Sequence, residues 1–149
     1  MGEIKNPYYE GTYPLIPKWQ QEEMKRLGCE EEGGVTQISL RNIEKFAAVY
    51  GEVRAIEHDT YGEERTKVCF AGGHVYVATG FSCGYGGEGP RGLWEIIKKY
   101  LKRDDITRDL VGGISNDNVV HLFLAGQGEA EPIIKYPGCC DSEFDVVVW

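Results

Sequence analysis

The chain has 149 residues, 24 acidic against 16 basic, for a formal charge of −8, and it is long enough to bury one core without disulfides or a metal. The acidic balance disfavours nucleic acid and anionic membrane as partners. With 42% hydrophobic and 27% charged residues, no apolar run near the roughly 20 residues of a membrane span and no apolar core in the N-terminal MGEIKNPYYEG, a single cytoplasmic domain over residues 1–149 is expected.

Residues 1–16 mix prolines with tyrosines and have no helical period, which reads as an extended arm packed on the body. Residues 17–28, PKWQQEEMKRLG, place Pro17 in a first turn, acids early, Lys25 and Arg26 late and Gly28 as a stop, the polarity a helix dipole favours. The acidic run Glu30, Glu31 and Glu32 reads as a solvated face. After Gly33-Gly34, Ser39 is the expected cap of a second helix, with Leu40, Ile43, Phe46, Ala47 and Tyr50 at three- and four-residue steps and an end near Gly51.

From Val53 the period changes. VRAIEHD, RTKVCFAG and HVYVATGF read as three strands, and Gly72-Gly73 suits a tight turn between the last two, so an antiparallel meander is expected. Residues 90–102, PRGLWEIIKKYLK, put Leu93, Ile96, Ile97, Tyr100 and Leu101 on one helical face, with Lys98, Lys99 and Lys102 matching the negative helix end. A polar turn at residues 115–118 leads to the strand VVHLFLAG, and the C-terminal FDVVVW reads as another strand. The expected class is α+β: a mainly antiparallel sheet of about five strands with two to three packed helices.

Five cysteines, Cys29, Cys69, Cys83, Cys139 and Cys140, lack a C-x-x-C spacing and read as free, mostly buried thiols rather than zinc ligands. His58, His74 and His121 fall on different strands without an H-E-x-x-H pairing, so neither a metal nor any other cofactor is expected. His121, inside VVHLFL, reads as a core histidine. His58, beside Glu57 and Asp59, reads as a polar candidate whose charged form the neighbouring carboxylates favour.

The segment GFSCGYGGEGPRGL, residues 80–93, is the densest functional signal. Glycines 80, 84, 86, 87 and 89 allow the backbone to approach a ligand, and Pro90 suits a helix start. A glycine loop ahead of a helix can cradle a phosphate or carboxylate. Gly84, Gly86, Gly87 and Gly89 are then the backbone donors, Arg91 the neutralising fork, and Phe81 or Tyr85 the stacking surface. No Walker loop is present; GYGGEG fits G-x-G-x-x-G spacing, but after antiparallel strands and with Glu88 where a phosphate would sit. Packing of a tight crossover beneath Phe81 and Tyr85 explains the same glycines. Cys83, in this loop near a helix start, is the thiol with a reason for a lowered pKa and a candidate nucleophile if a histidine from a neighbouring strand reaches it.

The run G-Y-G-G-E-G-P-R-G-L, preceded by Phe81 and followed by an amphipathic helix, resembles the hallmark of a family in phages and bacteria in which a W-G-Y-G-G-S-G-P segment feeds a helix. Here Cys83 replaces the usual Trp and Glu88 the usual Ser. The resemblance covers about residues 80–102 and implies a phage or mobile-element origin; it carries over no activity.

The leading expectation is therefore a small non-enzymatic protein holding an anionic small molecule, such as a nucleotide or cyclic nucleotide signal sequestered from a host defence. The alternatives are a small hydrolase or transferase using Cys83, or His58 with Asp59, on a phosphate- or acyl-bearing substrate, and an acidic protein-interaction module. Oligomeric state is left open.

Overall fold

In the computed structural model, residues 16–60, 64–83, 87–114, 119–126 and 134–137 are described. The elements run α1 (Lys18–Leu27), α2 (Thr36–Tyr50), β1 (Val53–Asp59), β2 (Arg65–Phe70), β3 (Val75–Ala78), α3 (Glu88–Leu101), α4 (Arg108–Gly112), β4 (Val119–Leu124) and β5 (Ile134–Pro137). The strands form one antiparallel sheet in the order β3-β2-β1-β4-β5, so the protein is α+β. The arm at residues 1–15, the turn at 115–118, the strand expected of FDVVVW, and Cys139 and Cys140 lie outside the described residues.

Pairing partners across an antiparallel sheet share a face. One face carries Ile56, Val68, Tyr76 and Phe123, all fully buried, and the helices pack there, with the Phe46 ring edge-on to Tyr76 at 4.6 Å. Leu93, Ile96, Ile97 and Leu101 of α3 join this core, as their helical spacing requires. The opposite face is also buried but carries charge: Glu57 pairs with Lys67 and Asp59 with Arg65, each at 3.6 Å. Lone charges there would be costly, and each has an opposite charge directly across the strand pair.

Helix α1 ends as its sequence dictates, with Gly28 left-handed at φ 74° and its N–H bonded to Lys25. Its Gln20 side chain reaches β3, donating from Nε2 to the Val77 carbonyl at 2.8 Å and accepting at Oε1 from the Val77 N–H at 2.7 Å. Helix α2 begins at Thr36, with Val35 at the N-cap, so Ser39 is not its cap. Ser39 lies one turn inside, buried, donating to Glu32 at 2.6 Å and accepting from the Gly80 N–H at 3.0 Å.

Nor does Glu32 belong to a solvated face. It is buried and gathers Ser39 Oγ, Thr79 N–H at 3.2 Å, Thr79 Oγ1 at 3.0 Å and the Tyr76 hydroxyl. Burial, then the charge of Glu32, pushes the Tyr76 phenol well above its usual range. A buried carboxylate persists here because several donors satisfy it. The network joins the segment before α2 to the exit of β3, and so fixes where the glycine segment starts.

Strands β2 and β3 are shorter than the segments RTKVCFAG and HVYVATGF expected of them. The turn between them places Gly73 at φ 92°, with the Phe70 N–H bonded to the His74 carbonyl at 2.8 Å. Helix α4 is capped by Thr107, whose Oγ1 accepts from the Leu110 N–H at 3.1 Å. Buried Arg103 closes the far end of α3, with a two-point pair to Asp105 at 2.7 and 2.5 Å and a bond to the Leu124 carbonyl at 2.8 Å.

Candidate functional site

The glycine segment leaves β3 at Thr79 and enters α3, which starts at Glu88 with Gly87 at its N-cap. The helix thus begins two residues before Pro90. Three glycines of the segment are required by close packing. A Cβ on Gly80 would lie 2.6 Å from the Val35 carbonyl oxygen, one on Gly89 2.2 Å from the Ser82 carbonyl oxygen, and one on Gly92 2.6 Å from Thr36 Cγ2. Those distances are inside van der Waals contact, so the segment is wedged between the start of α2 and the first turn of α3.

This packing corrects two assignments. Phe81 is 1% exposed beneath Gly92, a core anchor rather than a ring free to stack on a ligand. Gly89 is buried against Ser82 instead of facing an open cradle. Gly84, Tyr85 and Gly86 lie outside the described residues. Gly87 and Arg91 do reach an open surface: with Pro90, Arg108, Asp109 and Gly112 they line a groove of about 420 Å³ between the first turn of α3 and α4. Arg91 is exposed and lies 3.4 Å from Glu95, one turn along. Glu88, whose charge would oppose a phosphate, accepts from Gln37 Nε2 at 3.0 Å on the α2 side of the helix. Arg108 carries no sequence signal of its own, because α4 is short; only the Thr107 cap foreshadows it.

Deeper in the fold, the start of β2 and the exit of β3 bring His58, Glu64 and Cys83 together. His58 lies on the helix-facing side of β1 between Thr66 of β2 and His121 of β4. Its Nε2 is 2.9 Å from Glu64 Oε2 and its Nδ1 2.8 Å from Thr66 Oγ1. The same Glu64 oxygen accepts the Cys83 N–H at 3.0 Å, and the Cys83 thiol donates to the Phe81 carbonyl at 3.5 Å.

Asp59 takes no part, since strand alternation turns it to the opposite face with Arg65; the carboxylate beside His58 is Glu64. The loop thiol is also not activated. Burial, then the nearby charge of Glu64, pushes Cys83 up to about 12, because a thiolate there would lose hydration and face a like charge. Both His58 nitrogens are engaged by Glu64 and Thr66, so neither is directed at the thiol as a base. His121 is buried, and His74 stacks on Tyr50 at 4.0 Å.

Among the described residues no helix is long and apolar enough to cross a membrane. No protein-family model, curated protein or solved structure matches the chain.

Proposed function

We propose that the chain is a binding protein for an anionic small molecule of the nucleotide class, held in the groove between the first turn of α3 and α4. The supporting observation is that Arg91 and Arg108, against the one carboxylate of Asp109, line this groove together with Gly87 at the helix N-cap, while the Glu88 carboxylate accepts from Gln37 and is not among the lining residues. Two guanidinium forks and the positive end of a 14-residue helix suit a phosphate better than a cation or an apolar ligand. Sequestration of a nucleotide signal is the matching biology, and the phage-type resemblance of residues 80–102 agrees with it.

Calorimetry against mono-, di- and cyclic nucleotides, with inorganic phosphate as the minimal probe, tests this. Binding by the wild type that falls at least ~10-fold in Arg91→Ala and in Arg108→Ala is expected, the worth of one charge-assisted contact. Absence of heat and of any thermal shift across the panel refutes the proposal. Recovered nucleotide that has been chemically altered would assign the groove to an enzyme instead.

A further inference from the structure

The cluster beneath the glycine segment brings an imidazole, a carboxylate and a thiol from three separate parts of the chain to one point. His58 Nε2 or Nδ1, a Glu64 oxygen and Cys83 Sγ all lie within 4.8 Å of one another. A nitrogen, an oxygen and a sulfur donor at such spacing match the ligand types of zinc, whereas magnesium and calcium take oxygen sets.

The surroundings are those of a ligand set. A metal-bound histidine usually gives its other ring N–H to a fixed acceptor, which selects the tautomer and aims the ring. Here Nε2 is 2.9 Å from Glu64 Oε2 while Nδ1 is 2.8 Å from Thr66 Oγ1, a hydroxyl that can rotate to accept. The carboxylate is held in turn by the Cys83 N–H at 3.0 Å. The donors are largely withdrawn from solvent, with the His58 and Glu64 side chains 1% and 11% exposed and Cys83 8% exposed, Glu64 giving the side on which a solvent ligand can enter.

We propose that His58 Nε2, Glu64 Oε2 and Cys83 Sγ bind one zinc ion, with solvent in the fourth tetrahedral position. Binding breaks the Cys83 S–H bond, forms a zinc–sulfur bond and releases that proton to solvent. His58 binds as the neutral ring with its proton on Nδ1. The dication, the thiolate and the carboxylate then sum to zero charge inside the fold. Ligand bonds of about 2.0–2.3 Å place tetrahedral donors about 3.3–3.8 Å apart, so the 2.9 Å His58–Glu64 contact opens by about half an ångström. The ion would pin the exit of β3 to β1 and the start of β2, independently of what the α3–α4 groove binds.

The test uses the full chain, stripped with chelator under reducing conditions and titrated with zinc against a chromophoric competitor, then with cobalt. One equivalent of zinc is expected, and cobalt is expected to give thiolate-to-metal charge-transfer absorption with tetrahedral ligand-field bands. Cys83→Ser and His58→Gln should abolish stoichiometric uptake, and Thr66→Val, which leaves all three ligands, should weaken it about 10–100-fold. Wild-type protein that takes up no zinc, a cobalt spectrum without the sulfur band, or a folded Cys83→Ser variant with unchanged affinity overturns the proposal. The cobalt spectrum is read on the wild type, so a missing sulfur band overturns the proposal even where a variant fails to fold.

Discussion

Alanine at Gly89 isolates the packing role of the glycine segment from any ligand role. The new methyl would lie 2.2 Å from the Ser82 carbonyl oxygen and 2.9 Å from the Ser82 nitrogen, so α3 or the strand exit must shift by about an ångström, because backbone cannot rotate away as a side-chain tip can. Overpacking of this kind costs about 1–3 kcal/mol, and a backbone neighbour argues for the upper end. The helix-propensity gain of Ala over Gly is at most about 1 kcal/mol and smaller in a first turn, so the clash dominates. In a domain of this size a net loss of about 2 kcal/mol lowers the melting temperature by roughly 4–8 °C. Differential scanning calorimetry of Gly89→Ala beside Gly33→Ala checks this. A Cβ at Gly33 meets nothing within 4 Å, and that variant should match or slightly exceed the wild type. Equal melting temperatures for Gly89→Ala and Gly33→Ala would refute the close-packing account.

Glu32→Gln replaces a buried acceptor with a group that is half donor, facing Ser39, Thr79 and Tyr76; urea unfolding should show a loss of about 2 kcal/mol or more, with an unchanged m-value. Lys67→Met leaves Glu57 on the buried face of the sheet without its 3.6 Å partner and should cost about 3–5 kcal/mol, while the double variant Lys67→Met with Glu57→Leu recovers most of that; a double variant no more stable than the single would sink the pairing argument. In metal-free protein, Cys83 is pushed up to about 12, so the unfolded thiol ionises first and stability falls as pH rises from the ordinary thiol range towards that value. Urea midpoints measured at rising alkaline pH should therefore fall more steeply in the wild type than in Cys83→Ser, and parallel curves would contradict the assignment.

Periodicity makes the frame legible. The spacing of Leu93, Ile96, Ile97 and Leu101 locates α3, and the alternation after Val53 locates the antiparallel strands, because each pattern reports the face that must leave water. Residues whose roles depend on pairing cannot be read locally. Glu32 stands in an acidic run, the ordinary sign of a solvated surface, and only the approach of Ser39, Tyr76 and Thr79 makes its burial tolerable. His58 and Asp59 are sequence neighbours, yet strand alternation separates them and brings His58 to Glu64, six positions on. The glycines mark a place of close approach, but nothing local says that Ser82 and Thr36 are what approach Gly89 and Gly92.

The two bonds between Gln20 and Val77 have a consequence for how this molecule behaves beside its own copies. Among the described residues β3 is the outermost strand on its side of the sheet, and an open margin invites another chain to add itself there. A primary amide carries the same donor and acceptor as a peptide unit, so Gln20 occupies the position from which an incoming strand would begin to zip. Helix α1 thus covers this point of the β3 edge through Gln20. Gln20→Ala leaves the buried Val77 N–H and C=O without these partners, so it should cost about 1–3 kcal/mol and also aggregate sooner, with light scattering under mild warming as the readout.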